Sequence, residues 1–139
     1  MTKTTPMATK LIENKNIPQW VGKRVMVVED DFISYKIIEK YLRPTGVEII
    51  WVKDGVEALQ SCHKLMPDLA LVDVRMPRLN GIDLTRKLKQ LYRSLPIIIQ
   101  TAYGLPEHQR ECFNAGADAF IAKPFDKHYF FYKIRTFFN

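Results

Sequence analysis

The stretch Leu69-Ala70-Leu71-Val72-Asp73 decides the fold. It ends on a carboxylate and is fenced by Met66-Pro67 on one side and Met76-Pro77 on the other. An apolar run this short, bounded by turn residues, reads as a strand covered on both faces, the setting of a parallel sheet. Upstream, Val47–Lys53 reads as a second strand, and Asp54-Gly55 turns the chain into a helix over Val56–Leu65, with Val56, Leu59 and Cys62 on one face. Before it, Phe32–Arg43 carries Ile33, Ile37 and Tyr41, with Ile38 and Leu42, at helical spacing, and Pro44 and Gly46 stop it. Arg24–Glu29 is a β-branched run that ends in acids, the first strand. Downstream, Ile82–Tyr92 is a helix with Leu84, Leu88 and Leu91 on one face, and Pro96–Thr101 is a fourth strand. Pro106–Asn114 is a short helix ended by Gly116, Ala119–Ala122 is a fifth strand, and Asp126 caps a last helix running to Phe138. Five strands alternating with five helices predict an α/β domain with a parallel sheet and right-handed crossovers.

At 139 residues the chain is long enough for one domain around one core. Apolar residues at 47% and charged residues at 26% exclude a disordered composition. The longest apolar runs, such as that around Ile97, fall far short of the roughly 20 residues of a membrane span. The N-terminus shows no apolar stretch followed by a cleavage site, so a cytoplasmic protein is expected. Residues 1–22 read as a flexible extension, with Trp20 packing on the domain edge, and 23–139 as the domain. Of the net charge of +6, the first 24 residues supply +4: Lys3, Lys10, Lys15, Lys23 and Arg24 against Glu13. A basic tail of this kind is a solvated segment, and nucleic-acid binding is not expected of this chain alone. Cys62 and Cys112 lack metal or disulfide spacing and read as buried helix thiols; His63, His108 and His128 are scattered. In the aromatic last helix, Phe130, Ile134 and Phe137 share the core-facing stripe, with Tyr129 and Tyr132 toward the flank.

In open α/β sheets the functional crevice lies beyond the carboxyl ends of the strands. The first strand ends in Glu29, Asp30 and Asp31, the third in Asp73, the fourth in Thr101, and the fifth just before Lys123-Pro124. Separate stretches of chain therefore deliver carboxylates, a hydroxyl and an amine to one edge. Converging carboxylates repel one another unless a cation intervenes. Mg²⁺ suits such a site, because it takes oxygen ligands and welcomes a phosphate oxygen. Asp31 is assigned to capping the following helix. A carboxylate is also a competent nucleophile toward phosphorus, and phosphoryl transfer depends mainly on positioning and charge neutralisation, which Lys123 and Thr101 can supply.

The segments Val27–Asp31 (VVEDD), Leu71–Gly81 (LVDVRMPRLNG), Gln100–Gly104 (QTAYG) and Ala119–Phe125 (AFIAKPF) resemble the receiver domain of two-component response regulators. The resemblance covers about Arg24 to Phe138. It implies a doubly wound, flavodoxin-like five-stranded parallel sheet in the order 2-1-3-4-5. It makes Asp73 the phosphoacceptor, Glu29 and Asp30 the acidic metal pair, and the backbone carbonyl of Arg75 a further Mg²⁺ ligand. Thr101 and Lys123 match the hydroxyl and amine of the family motif, and the Lys123-Pro124 peptide is expected cis. Phe120 matches the switch aromatic: phosphate on Asp73 draws in the Thr101 hydroxyl, the Phe120 ring turns inward, and the face of helix four, strand five and helix five changes shape. Arg75 and Tyr103 occupy the positions that tune hydrolysis, where both are large enough to crowd the water path. The implied donor is a histidine kinase or a histidine phosphotransfer protein, and the helix 4–strand 5–helix 5 face allows a homodimer.

Other classes fit less well. A Mg²⁺-dependent phosphatase with an Asp nucleophile needs a second acid two residues on, where this chain has Arg75. A flavin-binding protein of similar fold needs a Ser/Thr/Gly-rich loop after the first strand, where this chain has three acids. Within the same chemistry, the chain reads either as a stand-alone regulator that assists its own phosphorylation and dephosphorylation, or as the receiver module of a hybrid sensor kinase acting as a phosphorelay intermediate.

Overall fold

In the computed structural model, which describes residues 17–76, 78–102 and 106–138, five strands and five α-helices alternate. The strands are β1 (Arg24–Val28), β2 (Glu48–Val52), β3 (Leu69–Asp73), β4 (Ile97–Thr101) and β5 (Ala119–Ala122). The helices are α1 (Phe32–Leu42), α2 (Gly55–Lys64), α3 (Gly81–Leu91), α4 (Pro106–Asn114) and α5 (Lys127–Phe138). A 3-10 turn over Arg43–Thr45 extends α1 to Gly46, whose φ of 81° ends it. All strand pairs are parallel, in the order β2-β1-β3-β4-β5. This is the doubly wound, flavodoxin-like sheet expected from the sequence.

Strand periodicity divides the core into two layers. Met26, Val28, Ala70, Val72, Ile97 and Ile99 face one side, where Ala58, Cys62, Leu84, Leu88 and Cys112 cover them from α2, α3 and α4. Val25, Val27, Leu69, Leu71, Ile98 and Ile121 face the other, covered from α1 and α5 by Tyr35, Ile38, Leu42, Phe130 and Ile134. β3 is buried at every position, as expected of a strand sandwiched between helix layers. Trp20 joins the second layer, 3% exposed, with edge contacts to the Phe131 and Phe138 rings. Of the expected extension over residues 1–22, residues 1–16 lie outside the described residues. Both cysteines are buried free thiols on helices.

Several expected faces are rotated. In α1 the core takes Tyr35, Ile38 and Leu42, while Ile33 and Ile37 point outward. In α3, Leu84 and Leu88 are buried as expected, but Leu91 is exposed at the end of the helix. In α5 the buried set is Phe130, Phe131, Ile134 and Phe138, with Phe137 half-buried. β1 ends at Val28, one residue earlier than read, although the Glu29 amide still donates to Val52 O at 3.0 Å.

Candidate functional site

β1 and β3 are neighbours, but the helices that follow them leave to opposite faces: α1 joins the layer with α5, and α3 joins the layer with α2 and α4. That divergence opens a crevice beyond the strand ends. Glu29 and Asp73 stand there at 1% and 8% exposure, and Asp30 is exposed. One carboxylate oxygen from each of these three residues lies within 4.8 Å of the others. Lys123 reaches in from the end of β5, its Nζ 3.1 Å from Glu29 Oε1 and 3.6 Å from Asp73 Oδ1. Its backbone is held by the Lys123 amide donating to Thr101 O at 2.8 Å, and the peptide to Pro124 is cis.

The electrostatics follow from this crowding. Burial, reinforced by the Asp73 carboxylate, pushes Glu29 up to about 7 against the opposing pull of Lys123. Burial also raises Asp73; Lys123 opposes the rise and Asp30 adds to it. Lys123 sets one positive charge against three clustered carboxylates, which leaves a cation favourable there. The cluster's donors are all hard oxygens, the set a Mg²⁺ ion accepts, so the residues fit the ion that the sequence suggested.

Asp31 accepts from the Ser34 amide at 2.8 Å and caps α1, as assigned; that bond lowers its pKa. Its own amide donates to Glu29 Oε2 at 3.1 Å. Arg75 is exposed, its backbone amide bonds the Asp73 carboxylate, and with Asp30, Asn80 and Arg86 it lines an open cleft of about 700 Å³. Thr101 is buried at the end of β4, in register with Ala122. Phe120 is 7% exposed, its ring in the α2/α3/α4 layer. Tyr103 lies outside the described residues.

Four supporting residues escaped the sequence reading. Trp51 donates its indole N–H to Glu29 O at 2.7 Å and stacks on Tyr35 at 3.9 Å between ring centroids. Arg78, at φ 68°, reaches back to Asp54, its Nε 3.2 Å and Nη2 2.5 Å from Oδ2, and ties the β3–α3 loop to the cap of α2. A Cβ on Gly81 would meet Asp73 O at 2.2 Å, so only glycine lets α3 start this close to β3. Gln100, in register with Asp73, is buried, and among the described residues its side-chain nitrogen has no partner. Gly81 was visible in its motif. The others act through tertiary contacts that no local pattern carries.

The family model for the response regulator receiver domain matches residues 25–135. The polar-differentiation response regulator DivK of Brucella ovis is 31% identical over 117 residues, which is 83% of this chain and 95% of that protein. Among solved structures, the receiver domain of a sensor histidine kinase from Pseudomonas aeruginosa superposes with a TM-score of 0.79 at 31% identity. It covers 85% of this chain and 98% of its own, and holds a magnesium ion in its active-site cleft. A CheY-like receiver domain protein from Methanospirillum hungatei gives a TM-score of 0.77 at 30% identity, covering 82% of this chain and 91% of its own.

Proposed function

Because the chain belongs to the response regulator receiver domain family of two-component signalling, whose members are phosphoacceptors rather than conventional enzymes, we propose that Asp73 accepts a phosphoryl group from a histidine kinase or a histidine phosphotransfer protein in the cytoplasm. The observation that carries this reading is the meeting of Glu29, Asp30 and Asp73, one carboxylate oxygen of each within 4.8 Å of the others, with Lys123 3.1 Å from Glu29 and 3.6 Å from Asp73. An Asp73 carboxylate oxygen attacks phosphorus, the phosphorus–nitrogen bond of a phosphohistidine breaks, and the departing imidazole takes up a proton from solvent. Lys123 neutralises a phosphoryl oxygen, and the Thr101 hydroxyl donates to another. Glu29, Asp30, Asp73 and the Arg75 carbonyl would hold Mg²⁺, which would supply positive charge to the transferring phosphoryl group. Arg75 and Tyr103 would slow the return reaction with water. The same groups make the chain an assistant in its own phosphorylation and dephosphorylation.

The apolar surface beside the crevice supports a protein donor. Phe32, Ile33 and Ile37 are 59%, 70% and 44% exposed on α1, immediately after the acidic segment. Exposed apolar groups of this size suit contact with a protein partner. The output is a population shift in which Thr101 and Phe120 move together and reshape the face of α4, β5 and α5, the surface open to a downstream partner or a second copy. A place as the receiver module of a hybrid sensor kinase is the second reading, favoured by the similarity to the Pseudomonas kinase receiver.

Incubation with acetyl phosphate and Mg²⁺, followed by intact mass, tests the assignment. The wild-type chain should gain one phosphoryl group, and Asp73→Asn should gain none. An equal gain in both would reject Asp73 as the acceptor.

A further inference from the structure

We propose that the cavity between α1 and the segment after β5 is a binding site for a small organic carboxylate with a flat apolar body. The cavity holds about 470 Å³, within the range of small-molecule sites. Ile37 and Tyr41 form one wall, Pro124 and Phe125 the other, and Gln100 and the stem of Lys123 the floor. Glu29, Asp30 and Asp73 do not line it; it adjoins the acidic crevice through Lys123, whose ammonium points to Glu29 and Asp73.

Two features define the ligand. Gln100 is 2% exposed near the carboxyl end of β4, yet among the described residues its side-chain nitrogen has no hydrogen-bond partner. A buried donor without an acceptor is costly, and a ligand oxygen entering from the cavity would meet it. The second feature is charge. Lys40 stands exposed on the rim, and among the described residues no carboxylate lines the cavity. The Lys123 ammonium is already engaged by Glu29 and Asp73, which leaves Lys40 to select an anion over a neutral acceptor. The Tyr41 and Phe125 rings, with centroids 6.3 Å apart, and Pro124 supply apolar surface for a ring or short chain.

The test uses the full chain, isotope-labelled, unphosphorylated and free of metal, titrated with phenylacetate and with its neutral counterpart phenylacetamide. Phenylacetate should give saturable NMR shifts centred on the Gln100 side-chain amide and the Phe125 backbone. Phenylacetamide should bind about ten-fold more weakly, the loss expected when a charge-assisted contact becomes a neutral one. Gln100→Leu, similar in size but without the donor, should abolish the shifts. Ile37→Trp, made at a position 44% exposed on α1, should fill the cavity and abolish them too. Shifts that survive both substitutions, or no shift with either probe, would overturn the site. The readout needs neither Mg²⁺ nor a phosphoryl group, so it fails or succeeds independently of the assignment of Asp73.

Discussion

At the residue scale, the acidic cluster depends on a neighbour that carries no charge. Trp51 holds the Glu29 carbonyl with its N–H while its ring lies flat on Tyr35, 3° from parallel. Trp51→Phe keeps the stack and removes the donor. A carbonyl stripped of its partner costs roughly 1–2 kcal/mol. The Mg²⁺ affinity should also fall several-fold, because the backbone that aims Glu29 loosens. A Mg²⁺ titration followed by NMR, with a urea melt alongside, separates the effects; affinity equal to wild type would show that Trp51 only packs. Cys62 offers a second check on side-chain environment. Burial raises its thiol from 9.0 to about 11. A raised thiol pKa leaves stability unchanged below pH 9 and lowers it as pH climbs from 9 toward 11, because the unfolded chain ionises first. The stability gap between the wild type and Cys62→Val should therefore shift in the variant's favour across that window in urea melts. A gap independent of pH would place the thiol in a wetter site. The acids, Thr101 and Lys123 could be singled out in the sequence because several strands end in such groups at once; any one of them alone would have meant little. Trp51 was not, since an aromatic residue on an edge strand satisfies β-propensity whatever its N–H does.

At the element scale, helix existence was legible and helix rotation was not. In α1 both Ile33–Ile37–Tyr41 and Tyr35–Ile38–Leu42 obey helical spacing, and only the docking of the helix onto β1 and α5 selects the second. Two caps were legible, because a short polar side chain before an apolar run suits the role: Asp31 and Asp126 accept from the Ser34 and Tyr129 amides at 2.8 Å. The Asp54 and Asn80 caps of α2 and α3, which accept from the Glu57 and Asp83 amides at 2.9 Å, were not read. The start of α3 shows how an element can constrain the site. Its first residue, Gly81, donates to Val74 O at 2.9 Å, and a Cβ there would sit 2.2 Å from Asp73 O and 2.8 Å from Val74 Cα. Those contacts are to backbone, so no side-chain rotation relieves them. Gly81→Ala should push the helix off the strand, cost roughly 1–3 kcal/mol, and slow phosphorylation by acetyl phosphate well beyond what the stability loss explains. A variant that melts and reacts like the wild type would mean that the loop absorbs the shift without moving Asp73.

At the scale of the whole molecule, the sheet order is what turns separate motifs into a site. Glu29 and Asp73 are far apart in sequence, and only the insertion of β1 between β2 and β3 makes their strand ends adjacent. Alternating strands and helices pointed to a parallel sheet with right-handed crossovers, and the order itself was expected only from the resemblance to the receiver family. The same topology loads the fold with repulsion, since folding brings three carboxylates within 4.8 Å while Lys123 supplies one compensating charge. Asp73→Asn removes one negative charge and leaves Lys123 its closer partner, Glu29, at 3.1 Å. In the absence of metal the variant should therefore melt higher than the wild type, by about 2–5 °C for a relief on the order of 1 kcal/mol in a domain of this size. Adding Mg²⁺ should raise the wild-type melting temperature, since a ligand that binds only the folded state stabilises it by mass action, and should do little for Asp73→Asn. Calorimetry of both chains with and without MgCl₂ distinguishes the cases. A metal-free Asp73→Asn chain that melts lower than the wild type would mean that Lys123 already balances the cluster, and the electrostatic need for a divalent cation would disappear with it.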